Sequence, residues 1–220
     1  MSSFNLEKIN FFDPAILEKP YDLYKQIQKE APVFKLPGTE IFLVTLHSDV
    51  RKIIRDPITY SSDFGDMINW ESGRADVQAV YATGYEMVET LLTQDPPRHK
   101  IYRSLVNKVF SNQRIESMRD SIKTITNELI DAWIHDGQVD ILNRLCVPLP
   151  IYVIADQLGV PRAELPLLKK WSDAAASRVG QLADEEQQLK DAENIVEFQH
   201  YFADMLDQLR VNPRDDIVSD

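Results

Sequence analysis

The strongest constraint on this chain is a stripe of helical period. Ile115, Met118, Ile122, Ile125, Leu129 and Trp133 recur at spacings of three and four, which puts them on one face of an amphipathic helix that must bury that face. The spacing predicts a helix over Ile115–Ile134, stopped by Gly137. Similar punctuation recurs along the chain. Pro20 to Ala31 opens on a proline and stops at Pro32, and Ser48 can cap a helix running to Arg55 and ended by Pro57. Pro150 to Leu158 ends at Gly159, with Pro161 beyond, and Leu165–Val179 and Glu185–Arg210 give two more helices. Val33–Leu36 and Ile41–Thr45 flank Pro37-Gly38-Thr39-Glu40 and predict one hairpin. The fold class that follows is mainly α with a small β-hairpin.

Composition narrows the function. Seven glycines in 220 residues form no phosphate-cradling loop. A net charge of −11 suits a nucleic-acid backbone poorly, since phosphates need Lys and Arg, so no nucleic-acid partner is expected. The single cysteine, Cys146, has no disulfide partner; within Asn-Arg-Leu-Cys-Val-Pro it reads as a small buried hydrophobe. His47, His135 and His200 have no ligand-like spacing, so no separate metal site is expected. No apolar run reaches the roughly 18–20 residues that span a bilayer. The start, Met-Ser-Ser-Phe-Asn-Leu-Glu-Lys, lacks the form of a signal peptide. The expectation is a cytoplasmic protein with no membrane anchor.

Two segments stand out. Asp66 to Thr90 carries Gly65 at its edge, Gly73 and Gly84, beside Met67, Ile68, Trp70, Tyr81, Tyr85 and Met87, with the least periodic pattern in the chain. A long irregular aromatic segment is either a binding loop or a loop packed by its own side chains. Asp95-Pro96-Pro97 then reads as a helix start, with Asp95 as the cap. At 100° per residue with His99 at zero, Ile101, Tyr102, Leu105, Val106 and Val109 fall between about 200° and 340°, the arc expected to be buried. Arg103 falls at about 40° and Phe110 at about 20°. His99 and Arg103 therefore sit at the margin of the apolar arc, whereas Lys100, Ser104, Asn107 and Lys108 occupy the solvent side. A cation there needs a partner. Either an intramolecular salt bridge and a satisfied histidine supply it, or an incoming dianion does, gripped by the Arg fork and the His one turn before. Residues 98–114 carry five cations and no acid in an acidic chain, either a solvated face or one that steers an acidic partner.

The run Asp95-Pro96-Pro97-Arg98-His99-Lys100-Ile101-Tyr102-Arg103-Ser104-Leu105-Val106 resembles the helix C signature of soluble bacterial cytochromes P-450, the haem-thiolate monooxygenases. Pro20-Tyr21 and the Ile41–Thr45 strand resemble the start of that family's fold. Asn143 to Pro161 is similar to its helix E passage, and Asn212-Pro213-Arg214-Asp215-Asp216 to its approach to helix H. The resemblance is collinear over nearly the whole chain. It implies a fold comprising helices A to G, a single incomplete domain over residues 1–220, with 66–90 as a substrate-pocket loop.

The resemblance also implies a cofactor, haem b (iron protoporphyrin IX), with His99 and Arg103 gripping its propionates. Met87, Val88 and Leu92 would be substrate contacts, and Lys100 and Lys108 would lie on the face that receives a ferredoxin or similar electron-transfer protein. The implied reaction inserts one oxygen atom from O₂ into a small apolar organic substrate.

The departures from the family are specific. The iron-ligand loop Phe-x-x-Gly-x-x-x-Cys-x-Gly is absent from these 220 residues, so no catalytic residue and no iron ligand is assigned, and the thiolate is expected in a C-terminal half beyond them. The family's acid–alcohol pair is absent too. Glu71-x-x-Arg74 and Glu116-x-x-Arg119 share the family's Glu-x-x-Arg spelling but come too early in the chain. The expectation is the N-terminal portion of such an enzyme, inactive alone, with Tyr102, Val106 and Phe110 left exposed. The alternatives are a truncated, non-catalytic ligand-binding module and an unrelated helical interaction protein.

Overall fold

The computed structural model describes residues 4–11, 13–63, 74–180, 183–214 and 216–219, for 179 and 180 the backbone only. The chain divides into two compact units, residues 1–63 and 64–220.

In the first unit, α1 (Pro14–Glu18) starts where the Asp13 carboxylate accepts the Ala15 N–H at 2.9 Å. α2 (Tyr21–Glu30) buries Leu23 and Ile27, four residues apart on one face. The expected hairpin forms: β1 (Val33–Lys35) pairs antiparallel with β2 (Phe42–Val44), Val33 opposite Val44, around a turn that places Gly38 at φ +74°. α3 (His47–Ile53) begins two residues earlier than a Ser48 cap would set it. Its N-cap is Leu46, without a side-chain bond, and Ser48 lies inside the first turn.

The second unit is helical. α4 (Ala75–Tyr81) packs on α10 (Glu185–Val211), which also packs on α9 (Leu165–Gly180). α8 (Pro148–Leu158) joins α9 to α7 (Arg119–Asp131). One core cluster contains Ala155, Val160, Leu165, Met205 and Leu209. Trp171 is buried beside it, its ring against Phe198, Tyr201 and Phe202 and its N–H donating to Glu197 at 2.7 Å. Gly159 ends α8 at φ +69°, as its sequence position predicts. A Cβ there would meet the Asp216 carboxylate at 2.4 Å. The segment after α10 thus lies against the end of α8, with the Ile217 N–H donating to the Gln157 carbonyl.

Three sequence readings are corrected in this unit. The helix expected over Ile115–Ile134 is two, α6 (Asn112–Ser117) and α7, because the Met118 N–H is shared between the Arg114 and Ile115 carbonyls and tightens the turn. Met118 and Ile125 are buried while Ile115 is left exposed. The regular helix ends at Asp131, ahead of the turn that brings Gly137 to φ +71°. Cys146 is exposed rather than buried: it ends a wide turn, Leu142–Cys146, closed by the Val147 N–H on the Leu142 carbonyl, which turns this stretch outward.

Candidate functional site

The basic helix α5 (Arg98–Val109) is built from its N-terminus. Pro96 and Pro97 carry no N–H, so the first amides to be satisfied are those that follow. The His99 N–H donates to the Asp95 carbonyl at 3.0 Å and the Lys100 N–H to the Pro97 carbonyl at 3.1 Å. Asp95 therefore serves the helix through its carbonyl. The N-cap is Pro97, with no side-chain capping bond, in place of the Asp95 cap read from sequence. Two contacts tie the preceding segment to this start: Arg98 pairs with Glu89 at 2.9 Å, and buried Gln94 donates to the Glu89 carbonyl at 3.1 Å.

His99 and Arg103 stand one turn apart on α5, His99 half-buried and Arg103 exposed. Neither side chain has a hydrogen bond or ion pair among the described residues, and Glu116, the first acid after Arg103 in the sequence, is held by Arg119 at 2.7 Å. The Arg119 guanidinium also lowers the Glu116 pKa. The Glu116-x-x-Arg119 spelling is thus an exposed surface pair. Lys100 and Lys108 are exposed and likewise pair with no acid among the described residues.

The arc that periodicity assigned to the core is open. α5 contains no buried residue; Ile101 is 60% exposed, Leu105 53%, Tyr102 45% and Phe110, just past its end, 41%, with Val106 and Val109 half-buried. Its period is right, but among the described residues no element covers the face. Tyr102 and Phe110 match the expectation of exposed apolar surface, and Ile101 and Leu105 extend it. An amphipathic helix with an uncovered apolar stripe, and with the N–H donors of His99 and Arg103 unpaired among the described residues at its margin, is chemically complementary to a flat apolar ligand with acidic arms.

Of the segment expected to be an irregular loop, Met67, Ile68, Trp70 and Gly73 lie outside the described residues. Of the rest, Ala75–Tyr81 is helical, as α4, whereas residues 85–90 have no regular secondary structure. Val77 at 1% exposure fixes α4 against α10, and the Arg74 guanidinium spans Asp76 at 2.6 Å, the Glu185 carbonyl at 2.7 Å and the Gln188 amide at 3.1 Å. Beyond α4 the chain stays on α10. Gln199 accepts the Tyr85 N–H at 2.9 Å and donates to the Tyr85 carbonyl at 3.1 Å, and the His200 Nε2 lies 2.9 Å from the Thr83 carbonyl. Met87, Val88 and Leu92 follow, all exposed. Gln199 has no signal in the local sequence, because its partners lie more than a hundred residues away.

Two ionisable groups on α10 are perturbed. Burial, reinforced by its hydrogen bond to Glu164, pushes the Tyr201 phenol up to about 12, and the Lys170 ammonium, with the Trp171 N–H, lowers Glu197. Both belong to the packing of α9 on α10. An apolar cleft of about 470 Å³ opens beside them, lined by Ile151, Ile154, Leu168, Trp171, Ile195 and Phe198 among others. A second, of about 460 Å³, runs between α4 and α10 past Val80, Val196 and His200. None of His99, Arg103, Met87, Val88 and Leu92 lines either.

Fold and sequence together define the class: the chain resembles the bacterial cytochromes P450 and has the fold of about half of such a protein. It is 28% identical over 206 residues to the putative cytochrome P450 YjiB of Bacillus subtilis, covering 91% of this chain and 47% of that protein. It is 33% identical over 201 residues to the mycinamicin IV hydroxylase/epoxidase of Micromonospora griseorubida, covering 89% and 47%. Among solved structures, CYP109E1 from Bacillus megaterium, in complex with testosterone, superposes with a TM-score of 0.69 at 28% identity, over 91% of this chain and 49% of that one. The chain spans about half the length of the curated relatives it matches. No family model matches it.

Proposed function

We propose that this chain forms the N-terminal portion of a haem-thiolate monooxygenase that inserts one oxygen atom from O₂ into a small apolar organic substrate. One observation carries the reading: His99 and Arg103 lie together at the edge of an uncovered apolar helix face, with no protein partner among the described residues. That is a donor set for the two carboxylates of haem b, beside a surface suited to its ring. The haem, when bound, supplies the oxygen chemistry and takes its thiolate from outside these residues, since Cys146 stands exposed at the end of the Leu142–Cys146 turn and not in the family's ligand loop.

The chain's own residues bind and position. His99 and Arg103 hold the propionates through N–H donors. Met87 and Val88 in the 66–90 pocket loop and Leu92 just beyond it, all exposed on the segment between α4 and α5, offer apolar contacts to the substrate. Lys100 and Lys108, exposed and unpaired with any acid among the described residues, present positive charge to an acidic electron-transfer protein such as a ferredoxin. The single-domain reading of residues 1–220 belongs to this proposal, as does a cytoplasmic location. No helix among the described residues is long and apolar enough to cross a membrane.

The test is the gene downstream of codon 220, followed by the carbon-monoxide difference spectrum of its reduced full product. A Phe-x-x-Gly-x-x-x-Cys-x-Gly loop and the red-shifted Soret band of thiolate-ligated haem support the proposal. A product that takes up no haem, or haem without that band, overturns it.

A further inference from the structure

The segment from Arg74 to Met87 runs along α10 in the same direction as that helix. Arg74 meets the α10 N-terminus at Glu185 and Gln188, and Thr83 and Tyr85 meet Gln199 and His200 about four turns later. Its last attachment is unusual. Gln199 presents a carboxamide to the Tyr85 backbone as a neighbouring strand would present a peptide group, accepting from its N–H at 2.9 Å and donating to its carbonyl at 3.1 Å. The same Nε2 approaches the Met87 sulfur at 3.3 Å. The residue before Tyr85 allows this: a Cβ on Gly84 would stand 2.3 Å from the Gln199 Oε1 and 3.0 Å from a Val196 methyl. The Tyr85 ring rests against His200 at 5.5 Å.

We infer that Gln199, through its amide clamp on Tyr85, is a positioning residue that sets where Met87 and Val88 stand, and so determines which substrates the pocket accepts. The inference rests on the proposed role of Met87 and Val88 as substrate contacts. His200 holds the loop at Thr83 and against the Tyr85 ring, but beyond Tyr85 Met87 and Val88 are themselves 51% and 76% exposed. The path of the backbone through Tyr85 therefore decides their reach, and two hydrogen bonds from one side chain decide that path. A carboxamide suits the task because it donates and accepts in one plane; neither a carboxylate nor a thioether does both.

Amide hydrogen exchange on the full chain, read in peptides covering residues 83–90, tests the clamp without needing haem or substrate. Gln199→Met keeps the length of the side chain and removes both bonds. It should speed exchange at Tyr85 at least tenfold while peptides around Ile195 and Trp171 stay protected. Gln199→Glu keeps an acceptor for the Tyr85 N–H at every pH but regains a donor to the Tyr85 carbonyl only when its carboxyl is protonated, so its protection should be partial at neutral pH and rise as pH falls; a purely packing role gives no such pH profile. Gly84→Ala should speed exchange as Gln199→Met does, by pushing the amide aside, with little further effect once Gln199→Met is present. Unchanged exchange at Tyr85 in Gln199→Met, or a pH-independent Gln199→Glu, overturns the clamp.

Selectivity is then read on the haem-loaded full product by titrating testosterone and dodecanoic acid. Gln199→Met should change the ratio of their affinities several-fold with the Soret spectrum intact. An unaltered ratio overturns the assigned role. If Met87→Ala and Val88→Ala also leave both affinities unaltered while the exchange results hold, the fault lies in the pocket assignment and not in the clamp.

Discussion

Helices α9 and α10 and helix α5 belong to the same compact unit, yet their apolar residues meet opposite fates. α9 and α10 bury Trp171, Ala174, Ala192, Ile195 and Val196 against each other and against α4 and α8. α5 has an equally regular apolar stripe and buries none of it. Periodicity specifies a face; only a partner makes it core. The polar groups follow the same division. On α10 and in the turn before α9, Glu197, Tyr201 and Glu164 have found their bonds inside the protein. On α5, His99, Arg103, Lys100 and Lys108 have no partner among the described residues. The packed region is where the chain is held together, and the open one is where a ligand has most to gain.

The comparison breaks most visibly under truncation. Trp171→Ala should cost about 3–5 kcal/mol in urea unfolding, through lost burial, three aromatic neighbours and the indole hydrogen bond to Glu197, which keeps only Lys170. Alkaline pH probes the same packing. Tyr201 is held at about 12 in the folded chain against an ordinary value near 10. Its contribution is therefore complete below about pH 10 and is lost as pH rises towards 12, because the unfolded chain ionises first. The loss, at most about 2 kcal/mol, should vanish from the alkaline stability profile of Tyr201→Phe. Gly159→Ala should cost about 1–2 kcal/mol in thermal melts, since a side chain at φ +69° is strained and would press on Asp216. Leu105→Ala on α5 should cost under about 0.5 kcal/mol, because that side chain is 53% exposed. A large loss from Leu105→Ala would show that α5 is core after all.

How far the sequence carried this picture depends on the range of the forces involved. Helices bounded by proline and glycine were legible, as α2, α8, α9 and α10 are, and so was the hairpin around Gly38, because their signals are local. What failed needed knowledge of neighbours. Ala75–Tyr81 carries only Val77, Val80 and Tyr81 as a helical stripe, and becomes ordered by packing on a helix a hundred residues away. The tightened turn at Met118 and the wide turn that exposes Cys146 are single-residue adjustments that leave no mark on an apolar pattern. The arc through Ile101 and Leu105 was read correctly as apolar and incorrectly as buried, because sequence shows a face but not what covers it. Spacing alone put His99 and Arg103 at the margin of that arc; the family resemblance gives them a purpose, and their lack of protein partners among the described residues supports it.

The central claim is that this pair grips two carboxylates. Haem titrations followed at the Soret band test it directly, with haem and haem dimethyl ester offered to the full product and to the His99→Ala/Arg103→Ala variant. Esterification should weaken binding to the unaltered protein by about tenfold or more, the worth of charge-assisted hydrogen bonds, and should make no difference to the variant. Equal binding of acid and ester by the unaltered protein would contradict the account.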